Sequence, residues 1–304
     1  MTVHTHSRFS GIYPMLYALF DKKGRLDREG MRGQVKAMLR ANVHGLAILG
    51  LASEGNKLSS AERQTFMEWV AEDCGGAVPL AVTVAEPNIE AQIDFARAAA
   101  GCGASWIILQ APPVRGIGEL DLLRFFAAVA EKSDLPVGIQ NAPEYLGSGL
   151  SNSGLKALVK RQPNVTIIKL ETSAIGVSRL IEDTDGAVDV FSGRAGIDLI
   201  ECLRAGAAGA IPGAETADVL AKIFNHFRSG HPRDMERAGE LYRDVLPLLV
   251  FLMESIDNFL VYGKRLFAQR LGIEEVEARP PCGSATDFGM ASMSRHARLL
   301  ASLR

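Results

Sequence analysis

The sequence has few cysteines, and their spacing does not suggest a metal site or a disulfide framework. Four occur among 304 residues, without any C-x-x-C pair: Cys74, Cys102, Cys202 and Cys282. Free thiols in a reducing compartment are therefore favoured. The N-terminus lacks the apolar core of a signal peptide, so a cytoplasmic protein is predicted. His4 and His6 are interpreted as part of a disordered terminus, and no metal site is predicted.

An excess of charge of one sign is also absent. The chain carries 33 basic and 35 acidic side chains, for a formal net charge of −2. This balance gives no electrostatic reason to expect nucleic acid or an anionic membrane as a partner. No run approaches the ~18 consecutive apolar residues of a membrane helix. The content of 47% hydrophobic and 22% charged residues is instead typical of a globular protein with a full core.

Short apolar segments alternate with helical stretches over the first 230 residues. Eight of these segments are predicted to be strands: 12–20, 45–50, 79–85, 106–110, 136–141, 165–170, 188–192 and 209–212. Most are continuous apolar runs, as expected for a parallel sheet covered on both faces. Eight strand–helix units predict an α/β fold of the (β/α)8 TIM-barrel type. A doubly wound open sheet is the alternative, disfavoured because no G-x-G-x-x-G follows an early strand.

The last quarter of the chain is predicted to be helical. Apolar residues recur at helical spacing over 235–253 and 255–271, and a final amphipathic helix is expected over 287–303. We therefore assign residues 1–230 to a barrel that carries the active site. Residues 231–304 are assigned to a helical extension packed on the barrel or on a neighbouring subunit.

Lys169 lies near the end of the sixth predicted strand, directly after the apolar residues Ile167 and Ile168. Burial disfavours the charged form of an amine, and a neutral lysine is a nucleophile. The alternative is a lysine at a strand end whose ammonium group reaches water. Because chemistry in α/β barrels takes place where the strands end, its position favours a functional role.

Several segments, in matching order, resemble the dihydrodipicolinate synthase and N-acetylneuraminate lyase family of class I aldolases. G-L-A-S-E, from Gly50 to Glu54, stands where the family has G-[ST]-T-G-E. Asn141-Ala-Pro143 stands at its Y-N-x-P motif, Lys169 at its Schiff-base lysine and Ser192-Gly193 at its loop after strand seven. The resemblance covers about residues 11–272. It implies a barrel, usually assembled as a homodimer or homotetramer, whose lysine forms an imine with pyruvate or a related 2-keto acid. No cofactor is predicted.

The residues that move protons in that family are replaced in this chain. The family's tyrosine before N-x-P corresponds to Gln140, whose amide does not titrate. Its two loop hydroxyl residues correspond to Leu51 and Ala52. The arginine that binds the aldehyde substrate's carboxylate in dihydrodipicolinate synthases corresponds to Tyr145. We therefore expect neither a true dihydrodipicolinate synthase nor a sialic acid lyase of the usual mechanism.

The resemblance also assigns roles to individual positions. Lys169 and Gln140 are predicted to be catalytic, and six residues are predicted to bind substrate: Leu51, Ala52, Ser53, Gly193, Arg194 and Ile211. The backbone N–H groups of Ala52 and Ser53 can hold a carboxylate without a particular side chain.

Two sets of residues keep more than one interpretation. The missing acid–base group is sought among the Ser53 hydroxyl, Tyr13, Tyr17 and Tyr145, although packing roles are the alternative for the tyrosines. Arg194 is interpreted either as a ligand of a carboxylate or sugar hydroxyl, or as a solvated loop arginine. Arg115, after the fourth strand, has the same two interpretations.

Two functions follow from these residues. The first is a Schiff-base lyase, either an aldolase or a dehydratase, acting on pyruvate or a related 2-keto acid, including one derived from a sugar acid. The second is a binding or regulatory paralogue that holds a keto acid without turnover. The enzyme is preferred because Lys169 is present while the replacements concentrate in the proton relay.

Overall fold

A computed structural model describes residues 9–114, 116–273, 276 and 278–301. Its central element is an eight-stranded parallel sheet with strand order β1-β8-β7-β6-β5-β4-β3-β2. The strands are β1 (Gly11–Ile12), β2 (Leu46–Ile48), β3 (Leu80–Val84), β4 (Trp106–Leu109), β5 (Val137–Asn141), β6 (Val165–Leu170), β7 (Asp189–Ser192) and β8 (Gly209–Ala210). His4, His6 and Arg115 lie outside the described residues.

The sheet closes into a barrel through the segment that follows β1. Met15 forms parallel bridges to Ala47 on one side and to Gly213 on the other. The N–H of Leu16 also donates to the carbonyl of Ala47, at 2.8 Å. Because the chain after β1 pairs with both ends of the sheet, the predicted (β/α)8 barrel is confirmed.

The first strand is much shorter than predicted. The sequence indicated a strand over 12–20, whereas β1 ends at Ile12. Pro14 has no N–H to donate to a ladder, and the N–H of Tyr17 donates instead to Oε1 of Gln34, at 2.8 Å. Beyond residue 12 only isolated bridges, at Met15 and Phe20, continue the pairing, so the prediction of a regular strand is wrong there. Residues 13–20 are nevertheless buried, as their apolar character indicated.

Helices connect the strands on the outside of the barrel. They are α1 (Arg28–Arg40), α2 (Ser60–Cys74), α3 (Ile89–Gly101), α4 (Glu119–Glu131), α5 (Pro143–Leu146), α6 (Asn152–Arg161), α7 (Ala174–Asp183), α8 (Leu199–Arg204) and α9 (Ala217–Ser229). A capping box lies at the start of α2, with Ser59 and Glu62 bonding reciprocally. The short α5 was not predicted from the sequence.

Further helices follow α9: α10 (Pro232–Leu252), α11 (Ile256–Asn258), α12 (Lys264–Leu271) and α13 (Asp287–Ala297). A π-helical turn over Phe259–Gly263 joins α11 to α12. α10 packs along α9, and α13 packs on α10. The division of the chain at residue 230 stays a prediction.

None of the described helices is by itself long and apolar enough to span a membrane. α10 and the segment Ile256–Leu271 meet that criterion only as a pair, and they are bent by 110° at the break between them.

Aromatic side chains fill the barrel interior. Three rings come from different strands: Tyr13 directly follows β1, Trp106 belongs to β4 and Phe191 belongs to β7. The centres of these rings lie 5.2–5.9 Å apart. These strands are not neighbours in the sheet, so their side chains meet across the interior. The barrel is therefore packed inside, as in other (β/α)8 barrels, and leaves space for a ligand at the strand ends.

Candidate active site

A cavity lies at the carboxyl-terminal ends of the strands. The space among its lining residues is about 450 Å³, including the part open to solvent. Much of the lining is apolar and comes from the loops after β1, β2 and β8 and from the C-terminal helical region: Met15, Leu51, Ile211, Met253, Ile256 and Phe259. The site is thus shared by the barrel and by residues beyond position 231.

Lys169 lies in this cavity, near the end of β6. The residue is 4% exposed, and its Nζ lies 2.9 Å from Oε1 of Glu171. Successive residues of a strand point to opposite sides, so Lys169 and Glu171 share one side. Both side chains are almost fully buried, and each charge would be costly there without the other. Lys169 therefore does not reach water as a strand-end lysine would.

The loop after β7 holds the other oxygen of Glu171. The backbone N–H of Arg194 donates to Oε2 of Glu171, at 2.7 Å. Arg194 and Ala195 both have left-handed backbone conformations, with φ of 51° and 53°. A Cβ added to Gly193 would lie 2.0 Å from Oε2 of Glu171. Gly193 thus leaves room for the carboxylate, and the strained turn after it supplies the N–H that binds it.

Gln140 lies next to Lys169 in the barrel wall. The two residues are in register on β5 and β6, which places their side chains on the same side of the sheet. Gln140 is 2% exposed, and its Oε1 accepts from Nε2 of Gln110, at 2.8 Å. Its own Nε2 has no acceptor among the described residues. A buried donor without a protein partner thus lies beside Lys169, although Gln140 is not among the residues that line the cavity.

The loop after β2 brings Leu51 and Ala52 to the cavity, but it uses Ser53 for its own structure. The Ser53 hydroxyl accepts from the N–H of Leu49 and donates to the carbonyl of Leu16. The Ser53 N–H donates to the carbonyl of Gly50, at 3.1 Å. Both polar groups of Ser53 are therefore bound within the fold, and the residue is completely buried.

Of the three tyrosines considered for acid–base chemistry, Tyr145 lines the cavity. The Tyr17 hydroxyl donates to Oε2 of Glu215, at 2.7 Å, and its burial raises its pKa, with the Glu215 charge adding to the effect. Tyr13 packs against Trp106 in the core, and burial raises the pKa of its hydroxyl as well. Burial, followed by the charge of Glu171, raises the pKa of Tyr145.

The remaining predicted residues lie around the mouth. Ile211 lines the cavity beside Lys169, as does Arg194, whose Nη1 also donates to Oδ2 of Asp198, at 2.7 Å. The Arg194 side chain is 31% exposed, so it is neither fully buried nor fully solvated.

Glu171 was not among the residues that the sequence analysis singled out. The available signal was its spacing, because Lys-x-Glu on a strand places the amine and the carboxylate on one side.

Fold and site together define a (β/α)8-barrel protein with a buried amine at the carboxyl ends of its strands. The family model for the dihydrodipicolinate synthetase family matches residues 8–298, and the chain belongs to this family. The resemblance found in the sequence is thereby confirmed.

Named relatives in the family differ in their reactions. The chain is 29% identical, over 79% of its length and 83% of the relative's, to a 4-hydroxy-tetrahydrodipicolinate synthase of Methanoculleus marisnigri. It is 28% identical, over 82% of its length and 81% of the relative's, to an L-2-keto-3-deoxyarabonate dehydratase of Azospirillum brasilense. The crystal structure of Escherichia coli YagE in complex with pyruvate has a TM-score of 0.85 at 23% identity, covering 96% of this chain and 98% of YagE. At that identity the likeness to YagE supports the fold alone.

Proposed function

We propose that the protein is a Schiff-base-forming lyase, an aldolase or a dehydratase, that acts on pyruvate or a related 2-keto acid. The observation that carries this proposal is the amine of Lys169, buried in a cavity at the catalytic end of the barrel. The family and its synthase and dehydratase relatives support the same class of chemistry.

In the proposed reaction, Nζ of Lys169 attacks the keto carbon of the substrate, and the resulting carbinolamine loses water to form an iminium ion. The C=N⁺ group draws electrons from the neighbouring carbon, so that a C–C or C–O bond one position further along can break. Gln140 would donate its unpartnered amide hydrogens to the substrate carboxylate or to the carbinolamine hydroxyl. Arg194 would contact the distal part of the substrate.

The lining of the cavity also limits the substrate. Where the family has two hydroxyl side chains, this cavity presents Leu51 and Ala52, and Met253 and Phe259 add further apolar surface. A polyhydroxylated chain would leave hydroxyl groups unpaired against these side chains, at a cost of roughly 1–3 kcal/mol each. We therefore favour a 2-keto acid whose remaining part is short or apolar over one derived from a sugar acid.

Borohydride trapping tests the proposal. The protein is incubated with pyruvate, and separately with 2-oxobutyrate, then treated with borohydride and analysed by intact mass and peptide mapping. We expect one reduced keto-acid adduct on the peptide that carries Lys169. The peptide that carries Lys264, another buried lysine, provides the internal control and should stay unmodified. If neither keto acid labels Lys169, the proposal is wrong.

A binding protein without turnover is the second candidate, and the ion pair with Glu171 favours it. A lysine held as an ammonium ion does not attack a carbonyl. This function predicts that pyruvate raises the melting temperature of both the wild type and Lys169→Met, without any adduct. The lyase predicts that the substitution abolishes both adduct and turnover.

Cytoplasmic location and a homodimeric or homotetrameric state remain part of the proposal, supported by membership of the family. Light scattering on the purified chain measures the oligomeric state directly.

A further inference from the structure

The proposed function leaves one chemical need open. After the imine has formed, a proton must leave or reach the carbon next to it, and this requires a titratable group close to Nζ of Lys169. Gln140, Leu51 and Ala52 cannot provide such a group, because none of their side chains titrates. The Ser53 hydroxyl is bound to Leu49 and Leu16 within its own loop.

We propose that Glu171 is the catalytic acid–base residue, carrying protons to and from the substrate carbon next to the imine. Its Oε1 lies 2.9 Å from Nζ of Lys169. The carbon that exchanges protons is attached to the carbon bonded to that nitrogen. A carboxylate that forms an ion pair with Nζ at this distance is therefore within reach of this carbon in a bound keto acid. The inference rests on the proposed imine chemistry at Lys169.

The surroundings of Glu171 fit such a role. The side chain is 6% exposed, so that bulk water does not compete for the transferred proton. Its Oε2 is held by the Arg194 N–H, which leaves Oε1 for the reacting groups. Because Gly193 has no Cβ, Oε2 of Glu171 can occupy the space beside it. The carboxylate is thus fixed at one oxygen and directed toward Lys169 by the other, as expected for a preorganised catalytic group.

The steps balance without any further reactant. Glu171 first accepts a proton from the Lys169 ammonium, which leaves a neutral amine to attack the keto carbon. The C=O π electrons move to the oxygen, which takes a proton from the attacking nitrogen to give the carbinolamine. The carboxylic acid then returns that proton to the carbinolamine hydroxyl, which departs as water with its bonding electrons. In the iminium ion, Glu171 takes a proton from the adjacent carbon. The C–H electrons form the C=C bond of the enamine, and the C=N π electrons return to nitrogen.

Other titratable groups are less well placed. Tyr145 lines the cavity, but the described contacts do not place its hydroxyl within hydrogen-bond distance of Lys169. Glu54 is paired with Lys57 and Lys264, and Glu215 accepts from the Tyr17 hydroxyl. Among these groups and Glu171, the described contacts bring only Glu171 into hydrogen-bond distance of Lys169.

Exchange of pyruvate methyl protons in D2O measures this step separately from imine formation. Proton NMR follows the loss of the methyl signal, while borohydride trapping on the same samples reports the imine at equilibrium. The wild type, Glu171→Gln, Glu171→Asp and Lys169→Met are compared. Because Glu171 also carries protons during imine formation, we expect Glu171→Gln to form the Lys169 adduct more slowly but to the wild-type extent once the imine has equilibrated. Its methyl exchange should be about 10²–10⁴-fold slower than that of wild type. Glu171→Asp keeps a carboxylate and should recover part of the rate.

The outcomes separate the two proposals. If the wild type forms no adduct, the imine chemistry is wrong, and the role of Glu171 falls with it. If the wild type forms the adduct and Glu171→Gln exchanges at the wild-type rate, the imine chemistry stands and the role of Glu171 is overturned. Loss of the adduct in a folded Glu171→Gln would equally overturn it, because Glu171 would then serve only the lysine. If Glu171→Gln does not fold, wild-type exchange in Glu171→Asp, whose carboxylate is displaced by one methylene, would overturn the role.

Discussion

At the scale of single residues, Gly193 shapes the candidate site by what it lacks. Its φ is −88°, so a left-handed backbone conformation is not the reason for glycine here. The requirement is steric, because a Cβ would lie 2.0 Å from Oε2 and 2.1 Å from Cδ of Glu171. An alanine would therefore displace the carboxylate or the loop that binds it.

Gly193→Ala should reproduce the effect of Glu171→Gln without removing a charged group. We expect pyruvate methyl exchange to fall at least about tenfold, since small displacements of catalytic groups are costly. NMR in D2O measures the rate. Gly33→Ala in α1 is the matched control, because a Cβ there meets nothing within 4 Å and should leave exchange unchanged. Wild-type exchange in Gly193→Ala would mean that the position of the carboxylate does not limit the rate.

The sequence predicted Lys169 as the candidate amine, because a lysine at the end of an apolar strand is unusual and the family motifs converge on it, and the structure places this side chain in the cavity. The carboxylate was harder to predict. The residue types around Glu171 are typical of a turn. The direction of its side chain depends on where β6 ends, and residue types do not show this. The structural role of Ser53 could not be predicted either. A serine in the sequence does not show whether its hydroxyl bonds to backbone groups or faces a cavity.

At the scale of elements, seven of the eight strands were predicted within a few residues, because buried parallel strands are continuous apolar runs. β1 was predicted too long for the same reason. Residues 13–20 are apolar and buried, but their strand pairing is limited to isolated bridges, and the N–H of Tyr17 donates to Gln34 rather than to a neighbouring strand. The pattern of apolar residues in a sequence indicates directly which residues are buried, but it indicates strand pairing only indirectly.

The loop after β2 and α12 are joined by a buried charge cluster. Glu54, which has a left-handed φ of 53°, accepts from Lys57 through Oε2 and from Lys264 through Oε1, at 3.0 Å. Burial lowers the pKa of Lys264, and the Glu54 charge opposes that shift. Lys264 also lies 4.6 Å from the centre of the Phe20 ring. The cluster fixes the loop that carries Leu51 and Ala52.

Glu54→Gln should be strongly destabilising, because it leaves two buried ammonium groups without a carboxylate. Removing one partner of a buried ion pair costs about 3–5 kcal/mol. Urea titration measures the free energy of unfolding. Lys57→Met is the comparison, since Glu54 then keeps Lys264 and the loss should be smaller. Equal stability of Glu54→Gln and wild type would show that the cluster does not hold α12 to the barrel.

At the scale of the whole molecule, buried polar contacts connect the barrel to the C-terminal helices. Glu215, after β8, accepts from the Tyr17 hydroxyl, while its backbone carbonyl accepts from Nη1 of Arg270 on α12. Arg270 also makes a two-bond pair with Asp218 on α9, at 2.9 and 2.7 Å. Glu215 itself is completely buried, and this burial raises its pKa above the ordinary value of 4.5.

The raised pKa of Glu215 predicts a pH dependence of stability with a definite sign. Above pH 4.5 the unfolded chain loses this proton while the native state keeps it, so the native state binds more protons. The contribution of Glu215 to stability therefore falls as pH rises from 4.5 toward the native pKa, by at most about 1.4 kcal/mol per pH unit. Glu215→Gln accepts the same Tyr17 bond without titrating. We expect the stability difference between Glu215→Gln and wild type to grow in favour of the variant as pH rises above 4.5, measured by urea unfolding at several pH values.

Glu62 provides the control of opposite sign. Its hydrogen bonds with Arg279 lower its pKa to about 2, so its contribution is present above pH 4.5 and is lost as pH falls toward 2. Glu62→Gln should therefore differ from wild type at neutral pH and approach it in acid. If the difference for Glu215→Gln instead stays constant or shrinks above pH 4.5, Glu215 is ionised in the native state. The Tyr17 hydroxyl would then donate to a carboxylate rather than to a carboxylic acid.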